Sequence, residues 1–337
     1  MQRILVVAPS WIGDTVLAQP LFKLLHARHP GLALDVLAPR WAFPLLDRIP
    51  EVRRAIESPF GHGDLRLGER RNLGRKLGTE GYDQAIVLPN TFKSALVPFF
   101  AGIRTRTGYI GEMRHWILND ARKLDEKRLP QIAQRYAALG LPRGGALRLP
   151  LPPLALRVDE AARRALLARL GLDRSRPAAA LCPGAEFGPA KRWPARYYAE
   201  LAQGIAARGL SVWLIGSQGD RQIGAEIEQA AGGVCRNLCG DTSLTEAIDL
   251  LASSSLVVSN DSGLMHVAAA LGKPLIALYG STSPDFTPPL SPNAQVLKLD
   301  LPCSPCFKRV CPLGHFNCMM QLTPERVLAA VDFDRIS

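Results

Sequence analysis

The chain has no long apolar stretch. Nothing in its 337 residues approaches the ~18 consecutive apolar positions of a membrane-crossing helix, and the longest candidate runs, such as 95–103, reach half that length. The N-terminus also lacks a small-residue cleavage site. Met1-Gln2-Arg3 is followed by a short apolar run, Ile4 to Ala8, that Pro9 ends, so these residues read as a buried first strand and not as a signal peptide. Low-complexity tracts and fixed-period repeats are missing, which excludes disordered and solenoid architectures except for loose ends. These absences lead us to expect a cytoplasmic protein that spans no membrane.

Acidic residues are in deficit, 30 against 41 Lys and Arg, for a formal net charge of +11. Such a balance favours polyanions: nucleic acid, anionic lipid or a phosphorylated substrate. The basic residues are not interleaved with aromatics on one strand, and no zinc-finger or RNP-type string occurs, which argues against nucleic acid.

The length exceeds what one core comfortably fills, so two domains are expected. In the first half, strand-like runs (4–8, 34–38, 84–88) alternate with helical ones (15–29, 65–77, 91–102), the pattern of a parallel sheet covered on both faces. Pro20 should kink the first helix. A proline-dense stretch, 147–156, reads as the linker. Beyond a charged helix at 159–170 the alternation restarts, with strands at 178–181, 211–215, 256–259 and 275–278 and helices at 195–208, 221–231, 244–253 and 264–271. The expected fold is α/β, with two Rossmann-like, doubly wound parallel sheets: 1–150, then 151–323. A last helix within 324–337, N-capped by Thr323 with Pro324 at its first position, can pack on either domain, including back on the first. Two such units predict a ligand cleft at the carboxyl ends of their strands.

Three segments follow strands and carry polar residues suited to chemistry. The first is Ser10-Trp11-Ile12-Gly13-Asp14, which sets a carboxylate at a helix start; Asp14 is either an N-cap or a general base acting on an acceptor hydroxyl. The second runs from Leu181 to Pro194. Gly184 and Gly188 allow its amides near a phosphate, and Lys191 and Arg192 add positive charge, although Lys-Arg-Trp is also compatible with a solvated loop end. The third, Asn260-Asp261-Ser262-Gly263-Leu264-Met265-His266, puts the Ser262, Gly263 and Leu264 amides at a helix N-terminus where a pyrophosphate can be held. Asp261 is negative near that anion, so its expected part is to orient the loop, or to contact Lys191 or a ribose hydroxyl. His266 reads as a structural hydrogen bonder in this nucleotide site. Gly216-Ser217 and the 279–284 loop with Ser281 are further nucleotide or sugar contacts on the same argument.

These segments, together with Leu88-Pro89-Asn90-Thr91-Phe92-Lys93 and the rest of 88–102, and with Ser283-Pro284-Asp285-Phe286 and on to Leu290, resemble the type II heptosyltransferases of glycosyltransferase family 9. The resemblance runs from about residue 3 to residue 330. It implies a GT-B fold with an ADP-heptose donor bound mainly by the second domain. The implied acceptor, held by the first, is a Kdo–lipid A type carrying one heptose. The implied reaction inverts the anomeric centre and needs no metal cofactor: Asp14 is the base, Lys191 neutralises the leaving diphosphate, and Gly184, Glu186, Arg192, Gly216, Ser217, Asp261 to Leu264, His266 and Ser281 bind donor. Ser10, Gly13, Asn90, Lys93, Arg104 and Arg106 fall to the acceptor, with Arg114, Arg122, Lys123, Lys127 and Arg128 as further basic contacts for its acidic sugars. The implied location is the cytoplasmic face of the inner membrane, in peripheral contact with it. The sister type I and III activities, and a non-catalytic nucleotide-sugar or lipid binder, are the competing readings.

One pattern stands outside this scheme. Cys303, Cys306, Cys311 and Cys318 form a C-x2-C-x4-C-x6-C cluster interleaved with Pro302, Pro305 and Pro312. Its density resembles a structural zinc site or an Fe–S ligand set, although the spacing matches no common zinc finger and disulfides are disfavoured in a reducing cytoplasm.

Overall fold

A computed structural model describes residues 1–336 apart from His62, Asp173 and Arg174. It divides into two compact units, Met1–Leu154 and Ala155–Ser337, a boundary inside the proline-dense linker and a few residues later than expected.

The first unit is a six-stranded parallel sheet built from β1 (Arg3–Val7), β2 (Ala33–Ala38), β3 (Arg54–Glu57), β4 (Gln84–Val87), β5 (Thr105–Tyr109) and β6 (Asp120–Arg122), in the order β3-β2-β1-β4-β5-β6. The second repeats the design with β7 (Ala178–Cys182), β8 (Ser211–Leu214), β9 (Cys235–Asn237), β10 (Leu256–Asn260), β11 (Leu275–Leu278) and β12 (Ala294–Leu297), ordered β12-β11-β10-β7-β8-β9. The central strands β2, β7, β10 and β11 are buried along their whole length and β1 from Ile4 onward, as sheets with helices on both faces require. In each unit the first strand lies between neighbours reached in opposite winding directions. The chain therefore reverses between β1 and β4, and again between β7 and β10. Loops leaving these pairs diverge at the carboxyl edge and open the crevice where α/β sheets take ligands.

The first helix departs from expectation in an instructive way. Pro20 does not kink one long helix but restarts it: Ile12–Leu17 ends at Ala18, and a second helix, Gln19–Arg28, begins with proline near its start, where the missing N–H costs nothing. Helix Glu160–Arg169 is capped by Asp159, which accepts from the Ala161 and Ala162 amides. The last helix, Pro324–Ala329, is capped by Thr323 as expected and buries Val327 in the second unit's core with Trp193, Tyr198 and Leu201. It thus joins the second unit, where a return to the first had also been open.

Core burial in the first unit brings in one charged cluster. Asp35 on β2 is fully buried and accepts from Arg53 Nε (2.8 Å) and Nη2 (2.6 Å), Arg54 Nε (3.0 Å) and Tyr82 Oη (2.5 Å). Burial alone would raise its pKa. The hydrogen bonds from Arg53 and Tyr82 and the charges of Arg53 and Arg54 overcome this and hold the carboxyl below its ordinary 3.8. A carboxyl lowered in the fold binds fewer protons there than in the unfolded chain, so its stabilisation is complete above the unfolded value and fades as pH falls through the folded one. Asp35→Asn, which keeps the shape and removes the charge, should cost about 2–4 kcal/mol in urea unfolding at pH 7. The deficit should shrink as the medium is acidified below pH 4. A deficit independent of pH would assign the loss to packing.

Candidate functional site

The second unit gathers the candidate donor residues at its switch point. Strand β7 delivers the loop 183–192, β10 delivers Asp261 and the helix Gly263–Ala270, and β11 delivers 279–287. At their meeting point Lys191 Nζ donates to Asp261 Oδ2 at 2.6 Å and to the Asp261 carbonyl at 3.3 Å, and Thr282 Oγ1 donates to the same Oδ2 at 2.5 Å. The pair is nearly withdrawn from solvent, with side chains 14% and 4% exposed. An ammonium has three N–H donors; two are engaged by Asp261, which leaves one for an anion. The Phe187 ring lies 5.1 Å beneath Nζ and shields the charge from water, which strengthens its attraction for a phosphate.

Ser262 begins the helix Gly263–Ala270 in extended conformation, and its hydroxyl makes no cap bond; it lies 3.2 Å from Ser259 Oγ. The first amides of this helix thus lack a side-chain acceptor, which suits them to an anion. His266, one turn in, is 3% exposed, and its Nδ1 has no hydrogen-bond partner among the described residues. Burial pushes its pKa down to about 4; Asp261 works against the fall and Lys191 adds to it. The imidazole is therefore neutral at pH 7 and no proton donor of the usual kind. Ser281 is likewise buried with an unpartnered Oγ.

The rest of the expected donor set is placed differently. Glu186 and Arg192 are exposed at the surface of the loop. Gly184 and Gly216 are packed around Asp220, whose Oδ2 lies 2.5 Å from where a Cβ on Gly184 would stand. Ser217 bonds that carboxylate through both N (2.9 Å) and Oγ (2.7 Å). These three residues are accounted for by a local turn, with Asp220 as the organiser that sequence reading missed.

Asn260 was missed as well. Its fully buried amide donates to the Pro183 carbonyl at 2.8 Å and accepts from Trp193 N (3.2 Å) and Tyr198 Oη (3.0 Å). It ties the end of β10 to the loop after β7 and so sets the separation of Asp261 and Lys191. Asn260→Ala leaves the buried Pro183 carbonyl and Trp193 N unpartnered, each worth ~1–3 kcal/mol, while Tyr198 Oη keeps the Cys182 carbonyl. Thermal unfolding should report a loss of at least ~2 kcal/mol, and a variant as stable as the parent would refute the tie.

In the first unit, β1 and β4 are neighbours, so the 8–14 and 88–94 segments leave the same edge of the sheet. Asp14 is the third residue of helix Ile12–Leu17, whose N-cap is Trp11, so the N-cap alternative is corrected. It is partly exposed, and its charge reaches buried Tyr136, whose pKa burial has already raised. Ser10 is exposed, and Gly13 and Lys93 are partly so. Asn90 Oδ1 instead accepts from Arg114 Nη2 at 2.9 Å.

The arginines expected to meet an acceptor split into two groups. Arg114 is fully buried. It donates to the carbonyls of Tyr109, Pro89 and Thr91 and to Ser94 Oγ, so it holds the 89–94 loop in place and is no acceptor contact. Burial pushes its pKa down to about 10, against a raising effect of Glu112. Arg106 is turned onto the carbonyls of Ile117 (2.7 Å) and Ile103 (2.5 Å), and Arg122 pairs with Asp120 at 2.6 Å. Arg104 remains exposed.

A cation, a carboxylate and the N-terminus of an eight-residue helix meeting at the switch point of a parallel sheet define a nucleotide-binding module. Repeated after a unit of the same topology, it gives the class of the GT-B glycosyltransferases. The chain belongs to glycosyltransferase family 9 (heptosyltransferase), whose profile matches residues 70–317. It is 50% identical to lipopolysaccharide heptosyltransferase 2 of Escherichia coli strain K12, over 97% of this chain and 96% of that protein. Against lipooligosaccharide heptosyltransferase 2 of Haemophilus influenzae strain Rd it is 48% identical, over 97% of each. The solved structure of E. coli ADP-heptose lps heptosyltransferase II superposes with a TM-score of 0.88 at 45% identity, covering 100% of this chain and 98% of that one.

Proposed function

We propose that this heptosyltransferase moves L-glycero-D-manno-heptose from ADP-heptose onto the first heptose of a lipopolysaccharide inner core. The observation that carries the reading is the Lys191–Asp261–Thr282 cluster beside the N-terminus of Gly263–Ala270, in a chain half identical to a type 2 enzyme across nearly its whole length.

The chemistry is a single displacement. The Asp14 carboxylate takes the proton of the acceptor hydroxyl as that oxygen forms a bond to the anomeric carbon from the face opposite the diphosphate, and the configuration inverts. The bond from anomeric carbon to phosphate oxygen breaks, and its electron pair leaves with ADP. The added negative charge falls on the third N–H of Lys191 and on the amides of Gly263 and Leu264, which supply what a divalent cation supplies elsewhere. Neutral His266 and Ser281 are polar groups for the nucleotide sugar. Asp261 fixes the direction of Lys191 and Thr282 and offsets the charge of Lys191.

On the acceptor side, exposed Arg104 and partly exposed Lys93 are the basic contacts that support binding of an acidic inner-core sugar. The net charge of +11 and exposed Trp116 and Met113 support peripheral docking on an anionic inner-membrane surface from the cytoplasmic side. No helix among the described residues is long and apolar enough to cross a membrane.

The test offers the purified enzyme ADP-heptose with acceptors carrying no heptose or one, and measures ADP release and product mass. Use of the one-heptose acceptor alone is expected. Preference for the heptose-free acceptor would move the chain to the type I activity, and ADP-heptose binding without transfer would make it a binder.

A further inference from the structure

Four thiols that the transfer reaction does not use lie beside the donor site. Cys303, Cys306, Cys311 and Cys318 are all unpaired and partly buried, and all four line one cavity, together with His315. They come from three pieces of backbone: the loop after β12, the tight turn at 311–314, and the short helix Asn317–Met320. Four sulfurs brought to one cavity from three pieces of backbone make a ligand set for a metal that takes thiolates.

The same segment is bonded at each step to the loops that carry the donor chemistry. Ser304 Oγ, between the first two cysteines, donates to the Gly280 carbonyl at 2.7 Å. Phe307 N donates to the Ser281 carbonyl at 2.7 Å, and the Arg309 carbonyl accepts from Ala190 N at 3.0 Å; both residues lie between the second and third cysteines. Gly188 has φ +150°, and a Cβ there would meet the Arg309 carbonyl at 2.5 Å, while a Cβ on Gly280 would come within 3.2 Å of Cys318 Sγ. Glycine at these two positions lets the cysteine segment lie directly against the loops of Lys191 and Thr282.

We propose that Cys303, Cys306, Cys311 and Cys318 bind one thiophilic divalent cation, zinc, in a tetrahedral thiolate site that braces the Lys191 and Thr282 loops of the donor site. Four soft sulfurs suit this ion, which has no redox chemistry and accepts tetrahedral ligation with little geometric cost. Among the described residues no three Cys, His, Asp or Glu side chains already stand as a metal-holding group, so binding draws the four sulfurs inward across their shared cavity. Each thiol that ligates releases its proton, and no oxidant or reductant takes part. The site itself is independent of the donor-site reading; its bracing effect rests on that reading.

The full chain, purified without a histidine tag under reducing conditions, is analysed for metal, then exchanged with cobalt(II). One equivalent of zinc per chain is expected, with sulfur-to-cobalt charge-transfer absorption and tetrahedral d–d bands after exchange. Cys306→Ser and Cys318→Ser should each weaken metal binding ~10–100-fold or more, and Cys235→Ser, a thiol on β9 outside the cluster, should leave it unchanged. Stripping the parent with chelator and restoring zinc should lower and then restore the thermal midpoint, a readout that does not depend on any variant folding. Metal-free protein whose four thiols titrate freely and which gives no cobalt bands overturns the site, as do disulfides among the four in freshly purified protein. ADP affinity separates the two readings. Zinc-dependent ADP binding is expected. Stoichiometric zinc with ADP affinity unchanged by stripping overturns the brace alone, and loaded protein that fails to bind ADP overturns the donor site and leaves the metal site standing.

Discussion

Lys191→Met is expected to weaken ADP affinity by ~10–100-fold, the worth of one charge-assisted hydrogen bond of ~1.5–3 kcal/mol. The leaving diphosphate is more negative in the transition state than in the bound donor, so turnover should fall further, by ~10²–10³. A second consequence is internal. Asp261, 4% exposed, keeps Thr282 but loses its cation, and removing one partner of a buried pair costs up to ~3–5 kcal/mol. These effects are separated by the double variant Lys191→Met/Asp261→Asn. Neutralising both partners should recover much of the stability, because no lone charge remains buried, while ADP affinity stays low. If the double variant regains ADP affinity along with stability, Lys191 serves only to neutralise Asp261, and the phosphate role is lost. The measurements are urea unfolding and titration of ADP, both in the absence of acceptor.

What could be read before the coordinates was whatever depends on nearby residues. Buried strands announce themselves as short apolar runs, and 275–278 and the helix 244–253 fall where expected. The switch-point loops followed, because each directly succeeds such a run. Strands β3, β5, β6, β9 and β12 were not legible: they are short, they carry polar or charged residues such as Arg54, Glu57, Arg106, Asp120, Arg236 and Gln295, and neighbours distant in sequence recruit them to the sheet. In the site, charged residues near glycines drew notice, but the residues that position them did not. Asn260 acts on Pro183, 77 residues away, and Arg114 on Pro89, 25 away. Nothing local marks a buried amide or guanidinium as the holder of distant carbonyls. The same blindness made Arg106 and Arg114 look like surface charge and left Thr282 unnoticed within a loop that had been singled out.

Asp14→Asn should lower turnover by ~10²–10⁴, the range for loss of a positioned general base, with ADP affinity at the parent value. The asymmetry is the informative part. Lys191, Asp261 and the Gly263–Ala270 helix belong to the second unit and Asp14 to the first, so removing a charge at Asp14 takes nothing from the nucleotide's own contacts. Asparagine keeps the size of the side chain and its place in the first turn of Ile12–Leu17, so a merely structural Asp14 would tolerate it. A base that acts only in the chemical step lowers kcat and kcat/KM together and leaves the donor KM alone. Tyr136→Phe is the companion measurement. The phenol is buried within reach of Asp14's charge, and a role in orienting the carboxylate would show as a smaller loss of turnover than in Asp14→Asn, again with ADP affinity at the parent value. Parent-like turnover in Asp14→Asn would transfer the base to another residue of the first unit's switch-point edge and leave the donor site, built wholly in the second unit, as it stands.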